Sequence, residues 1–283
     1  MHRTVTADMT LTAAGDARLA LSIAAAAPGA PPLTAPPAAP QSTPAPAVGE
    51  LLELLEVSQG GRALETIEVV DPHGSRLHLV DVAAGEVQIA YRASVEARSE
   101  PDAVSAVDEV LYLRPSRYCE SDSLGPTARH EFRGLVGTEL LFGVSSWVGE
   151  RLAYVPGSSL PTDGAVRTLL AGRGVCRDYA HLVVGLLRAL DVPARLASVY
   201  APGLDPMDFH AVAEAAIDGH WYVVDATTLA PRSSLLRIGT GRDASDTAFL
   251  SSRGAPVMLD DLTVSAIVDE LPTDDLTQLV SLG

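Results

Sequence analysis

Asp218-Gly219 stands between two strand-like runs, Phe209 to Ile217 and His220 to Ala226, and no other feature constrains the chain as much. An Asp-Gly pair between such runs predicts a two-residue hairpin turn, because both central residues of that turn take positive φ. The turn sets the register: Ile217 faces His220, Val212 faces Asp225 and His210 faces Thr227. Directly opposed residues share a face of a sheet, as do residues two apart on one strand. His210 and Asp225 thereby become diagonal neighbours on one face. A turn one residue longer or shorter would separate them.

Upstream, Gly172-Arg173-Gly174-Val175-Cys176 leads into a run in which Ala180, Val183, Val184, Leu187 and Leu190 fall on one broad face, until Asp191-Val192-Pro193 stops it. The pattern predicts a helix from about Cys176 to Leu190. A cysteine in the first turn points its sulfur at unpaired backbone amides and the positive end of the helix dipole, which favours the thiolate. The plain alternative is a buried, inert cysteine. Singly, His210 reads equally well as a structural histidine and Asp225 as a strand-end cap. Together, thiol, imidazole and carboxylate supply a nucleophile, a base for its proton and a group that orients the base.

The segments Gly174-Val175-Cys176-Arg177-Asp178-Tyr179-Ala180-His181-Leu182, Val192-Pro193-Ala194-Arg195, His210-Ala211-Val212 and Trp221-Tyr222-Val223-Val224-Asp225-Ala226-Thr227 resemble the core of the bacterial transglutaminase-like superfamily. The resemblance covers about Leu140 to Leu250. Tyr112-Leu113-Arg114-Pro115-Ser116-Arg117-Tyr118 and the β-rich start also resemble the region that accompanies this core. It implies an α+β fold: a papain-like transglutaminase core, with a helix bundle packed on an antiparallel sheet, and an N-terminal β-sandwich-like domain. It also implies Cys176 as nucleophile, His210 as general base and acid, and Asp225 as its orienting partner. Two positions depart from the pattern: Arg177, where the family often has glutamine, and Ala211-Val212, where a bulkier Ala-Trp pair is usual.

With 36 acidic and 20 basic residues the net charge is −16, so the chain has no electrostatic basis for holding nucleic acid or an anionic membrane. Every basic residue is arginine, which excludes Schiff-base and P-loop chemistry that needs a lysine of this chain. Two cysteines, Cys119 and Cys176, cannot form a disulfide framework. Acidic neighbours mark Cys119 as a spare thiol. No charge falls between Arg18 and Glu50, but eight prolines stand between Pro28 and Pro46, and the proline-free Leu19 to Ala27 is too short to span a bilayer. Asp8 and Asp16 interrupt any secretory signal, and a cytoplasmic location is expected.

Residues 1–100 read as a β-rich domain, with strands over Arg18 to Ala24, Thr66 to Val70, Leu77 to Val82 and Glu86 to Tyr91, the last two joined by Ala-Ala-Gly. A Pro/Ala-rich loop at 28–49 interrupts it, with a composition that favours extended, polyproline-like backbone. Residues 101–254 form the expected catalytic core. Its helices are predicted on a stripe of Val104, Val107, Val110 and Leu111 after Pro101, over Thr138 to Ala153, and from Asp163 to Ala171 with Gly172 as its C-terminal stop. Residues 255–283 form an acidic tail, expected to pack back onto the body.

The chemistry this implies is attack of the Cys176 thiolate on a glutamine-like or peptide amide, followed by transfer of the acyl group to an amine or to water. A cysteine peptidase with the same triad and a non-catalytic peptide-binding scaffold are the rival readings. The expected partner is a peptide or protein amide, and no cofactor or metal is called for, since Cys176, His181 and His210 lack zinc-site spacing. His181 points away from the sulfur on the helix, and Asp178 serves the helix start or aligns the site. The backbone amide of Cys176 is one oxyanion donor; Trp147 and Tyr154 are both available as a second, and spacing selects neither.

Overall fold

The structure, a computed structural model, describes residues 1–26, 51–71, 75–95 and 101–282; the Pro/Ala-rich stretch lies outside the described residues. Alternation builds the first strands. Val5, Ala7, Met9, Leu11 and Ala13 of β1 (Arg3–Ala13) are all buried, with more exposed residues between them. The chain continues through β2 (Ala17–Leu21), β3 (Leu51–Gln59), β4 (Arg62–Ala63), β5 (Ile67–Val70), β6 (Arg76–Val82) and β7 (Gly85–Val95).

A largely helical stretch follows: α1 (Ala106–Leu111), α2 (Ser121–Glu131), α3 (Gly137–Arg151), β8 (Ala153–Tyr154), α4 (Ala165–Ala171), β9 (Arg173–Gly174) and α5 (Cys176–Arg188). A four-stranded sheet is then made from β10 (Ala194–Tyr200), β11 (Phe209–Ile217), β12 (His220–Val224) and β13 (Leu236–Gly241). Finally β14 (Leu250–Gly254) and β15 (Val257–Val268) return to the first strands. The fold is mixed α+β, with several antiparallel sheets, two of which form a sandwich and one of which packs on the helices.

The sandwich has sheet orders β15-β1-β7-β3-β4 and β14-β2-β6-β5. The Ala-Ala-Gly connection joins β6 and β7 across the two sheets: β6 pairs with β2 and β5, whereas β7 pairs with β1 and β3. Both strands bury one face in the same core from opposite sides, so the connection turns a sandwich corner. Residues 257–268 of the acidic tail, expected to pack back onto the body, do so as a strand that pairs with β1 along its whole length. Their inward residues Val264 and Ala266 join the sandwich core, while Asp260 accepts a 2.6 Å hydrogen bond from Thr12 at the exposed face.

The stripe after Pro101 corrects an expectation. Helix α1 starts at Ala106, where Ser105 and Asp108 form a reciprocal capping box, and Val107 and Val110 are exposed. Tyr112, just beyond this helix, is what enters the core, edge-on to Trp221 at 5.4 Å between ring centroids.

Helix α5 lies at the centre of the second core. Every residue from Tyr179 to Arg188 is buried, as expected of a helix enclosed on all sides. It packs against α2, α3, α4 and the strands β10 and β11. Gly185 permits the approach: a Cβ there would stand 2.7 Å from Leu124 Cδ1. Behind the sheet, buried Arg195 and Arg237 both donate to Glu214 at 2.8 Å and reach Asp102 at 3.3 and 3.0 Å, and Arg195 covers the Trp221 ring at 4.1 Å. Tyr200 of β10 joins sheet to sandwich by donating to the Ile23 carbonyl at 2.8 Å and stacking on Tyr91. No helix among the described residues is long and apolar enough to cross a membrane.

Candidate active site

The hairpin forms with the expected register. Asp218 and Gly219 have φ of 49° and 79°, the positive values a tight hairpin turn requires, and Ile217 pairs with His220 and Ala213 with Val224. His210 and Asp225 consequently share a face, and both are buried. Their facing atoms, His210 Nε2 and Asp225 Oδ2, are 3.7 Å apart.

Asp225 is held from three directions. The Thr227 amide and hydroxyl each donate to Oδ1 at 2.8 Å, and Ser145 of α3 donates to its carbonyl at 3.0 Å. Oδ2 has no other hydrogen-bond partner, which leaves it for the imidazole. Thr227 Oγ1 also stands 3.5 Å from His210 Nε2. Gly149 of α3 allows this packing, since a Cβ there would lie 2.9 Å from the Ala226 carbonyl oxygen. Thr227 supports the site without standing out in the sequence, although Asp-Ala-Thr carries the signal: in this pattern an aspartate accepts from the backbone two residues on.

The sulfur comes from the other side. Val175 is extended and Cys176 opens α5, with its side chain half-buried. Asp178 accepts from the Val175 amide at 2.8 Å and from Ser159 at 2.9 Å, so its role lies in capping the helix and holding a loop. Arg177 donates to Ser159 Oγ at 2.6 Å and to the Leu160 carbonyl at 3.1 Å, which staples the same loop to the helix start. His181 points away as expected: it stacks on Tyr118, accepts from the Ala244 amide at 3.1 Å, and burial pushes its pKa down to about 3.

Cys176 and Asp225 act on His210 together. Burial alone would lower the imidazole pKa, but hydrogen bonding to Asp225 and to Cys176 outweighs it and raises the pKa. Nε2 is turned to Asp225, and Nδ1 has no hydrogen-bond partner among the described residues in this resting arrangement. Asp225 shifts the opposite way: burial would raise its pKa, and bonds from His210 and Thr227 bring it down. These two shifts favour an imidazolium flanked by a carboxylate and the sulfur.

Residues 137–226, from α3 to the end of the hairpin, match the sequence profile of the Transglutaminase-like superfamily. That region is a transglutaminase-like core. The chain is 31% identical over 121 residues to an uncharacterized protein of Mycobacterium leprae (strain TN), a match covering 38% of this chain and 43% of that one. The chain thus matches less than half the length of that curated relative. Among solved structures, a protein of Cytophaga hutchinsonii described as a "putative cysteine protease" aligns over 96% of this chain and 92% of its own, with a TM-score of 0.80 and 29% identity. The likeness therefore takes in the sandwich as well as the transglutaminase-like core.

Within that core, the structure separates the two aromatic residues that spacing left equal. Trp147 donates its indole N–H to Glu131 at 3.1 Å and packs edge-on to Phe132, which occupies it away from the sulfur. Tyr154 does the opposite. Its hydroxyl lies in hydrogen-bonding reach of both the backbone amide and the thiol of Cys176, and burial together with the sulfur pushes its pKa up to about 12. It gets there through a parallel bridge in which Ala153 pairs with Arg173 and Tyr154 with Gly174. Cys119 is fully buried, and burial pushes its pKa up to about 12, so it is the inert thiol of the two.

Proposed function

We propose that this protein is a thiol enzyme that opens an amide of a peptide or protein through a thioester on Cys176. The observation that carries the reading is buried His210, whose Nε2 is 3.7 Å from Asp225 Oδ2 and whose pKa is raised by both Asp225 and Cys176. The thiolate attacks the amide carbon, a C–S bond forms and the carbonyl oxygen becomes an oxyanion. The Cys176 amide and the Tyr154 hydroxyl, already together at this point, are the groups placed to stabilise it. As the oxyanion collapses, the C–N bond breaks and the His210 imidazolium gives its proton to the departing nitrogen. An amine or water then gives a proton back to His210 and attacks the thioester, which releases the thiolate. Asp225, fixed by Thr227, keeps the imidazole turned towards the sulfur throughout.

A peptidase using the same residues is the second reading, supported by the likeness to the Cytophaga protein described as a protease. A panel of glutamine-containing peptides, with and without an added alkylamine, separates the two. Ammonia release or amine incorporation supports acyl transfer from a side-chain amide, and a new peptide terminus supports the protease. Turnover that survives in Cys176→Ala would refute both.

A further inference from the structure

We propose that Arg232 and Asp274 are positioning residues: their ion pair clamps the loop that carries Asp225 and Thr227 and so keeps the carboxylate aimed at His210. The inference rests on Cys176 being the reactive thiol and adds the residues that hold its partners in order. Just after Thr227, the backbone at Thr228 has a φ of 51°. A β-branched residue keeps that left-handed conformation only when its surroundings impose it. The segment beyond β15 grips the loop on either side of this point. Two residues before Asp225, the Val223 amide donates to the Val280 carbonyl at 2.7 Å. Beyond Thr228, the Arg232 amide donates to Asp274 Oδ2 at 3.1 Å, Nε donates to the same oxygen at 3.0 Å, and Nη2 donates to Oδ1 at 3.0 Å and to the Asp275 carbonyl at 2.6 Å.

Packing does not do the work of the clamp. Asp225, Thr227 and Thr228 border a cavity of about 370 Å³, whose other walls include Leu141 of α3 and Leu276 and Leu279 of the gripping segment. A loop that faces open space has room to move when a contact at its end is lost, unlike one set in a close-packed core. Ser145 holds Asp225 at its main-chain carbonyl, whereas the side chain is set by Thr227 at Oδ1. Relaxation of Thr228 to negative φ would swing Thr227 away from that oxygen, and Asp225 would lose the bonds that orient it. The clamp itself is sheltered: the Arg232 side chain is 5% exposed and that of Asp274 16%, so solvent and salt screen the pair weakly.

Iodoacetamide alkylation of Cys176 in the full chain, with peptide mapping to separate it from Cys119, tests the clamp. Asp274→Asn keeps the shape of the side chain, and Arg232→Met leaves no buried cation behind. Each is expected to slow alkylation at about pH 6 by about threefold to tenfold and to leave it unchanged at about pH 9, where an ordinary thiol is itself ionised. Added to Asp225→Ala, Asp274→Asn is expected to slow the reaction no further, because the clamp acts through that carboxylate. Val264→Ala, in the sandwich core, lowers stability without touching the loop and is expected to keep the unaltered rate at both pH values. Unaltered rates in Asp274→Asn and Arg232→Met, a slowing that is equal at both pH values, or a further slowing in the double variant overturns the proposal. So does loss of the folded state in both single variants, followed by near-ultraviolet circular dichroism, which would make the pair a purely structural one. Slow alkylation of Cys176 in the unaltered protein refutes the reactive thiol itself, a result distinct from a clamp without effect on a fast one.

Discussion

Oδ2 of Asp225 faces Nε2 of His210 at 3.7 Å, at the open end of a carboxylate whose other oxygen is fully occupied by Thr227. This arrangement orders the effects of substitution. His210→Ala is expected to slow iodoacetamide alkylation of Cys176 below pH 7 by about tenfold to a hundredfold, since an isolated thiol is mostly protonated there. Asp225→Ala is expected to slow it less, and Thr227→Val least. Rates measured by peptide mapping over a pH series test the order, and a larger effect from Asp225 than from His210 would reverse the two roles.

The raised pKa of His210 carries a sign for stability. A group whose folded pKa lies above its unfolded value stabilises fully below the unfolded value and loses that contribution as pH rises through the folded one. For His210 the window runs from 6.5 to about 10. The stability difference between the unaltered protein and His210→Gln, from urea unfolding, is expected to be greatest near the lower limit and to shrink towards the upper one. A difference that grows with pH over this range would contradict the charge arrangement.

Tyr154→Phe isolates a hydroxyl. Loss of one oxyanion donor is expected to lower kcat by about a hundredfold with little change in KM. Iodoacetamide alkylation of Cys176 forms no oxyanion and is expected to change by less than about threefold. Equal losses in turnover and alkylation would mean that the phenol acts on the thiol alone.

Glu214→Ala is expected to destabilise the protein by about 3–5 kcal/mol, because Arg195 and Arg237 would remain buried without the carboxylate that both share. Urea unfolding measures the loss. Gly149→Ala tests packing at the site itself: the added methyl meets the Ala226 carbonyl oxygen and is expected to cost about 1–3 kcal/mol and to slow Cys176 alkylation by displacing Asp225. An unaffected alkylation rate would show that α3 does not position the carboxylate.

Much of the site is legible in the sequence because it depends on local signals. Asp218-Gly219 dictates a turn, the turn dictates register, and register brings His210 and Asp225 together without reference to the rest of the fold. Cys176 is legible because Gly172, with φ of 64°, ends one helix just before the next begins. What stays hidden depends on partners far along the chain. Alternation identifies β6 and β7 as strands but cannot say that they belong to opposite sheets. The six acidic residues of 258–283 mask a strand over 257–268 in which only Val264 and Ala266 are buried. Val107 and Val110 have helical spacing, yet the face they define meets solvent. Tyr154 gains its place from a two-residue parallel bridge, too short to leave any periodic trace.

The pairing of β1 with β15 has a consequence for biosynthesis. Of the described strands, the first to leave the ribosome hydrogen-bonds to the last, so one of the two ladders of β1 stays vacant until residues 257–268 have been made. Helix α5 and the hairpin emerge well before that moment. The half that carries Cys176, His210 and Asp225 is thus assembled on a platform that is still open along one edge, and the last strand closes it.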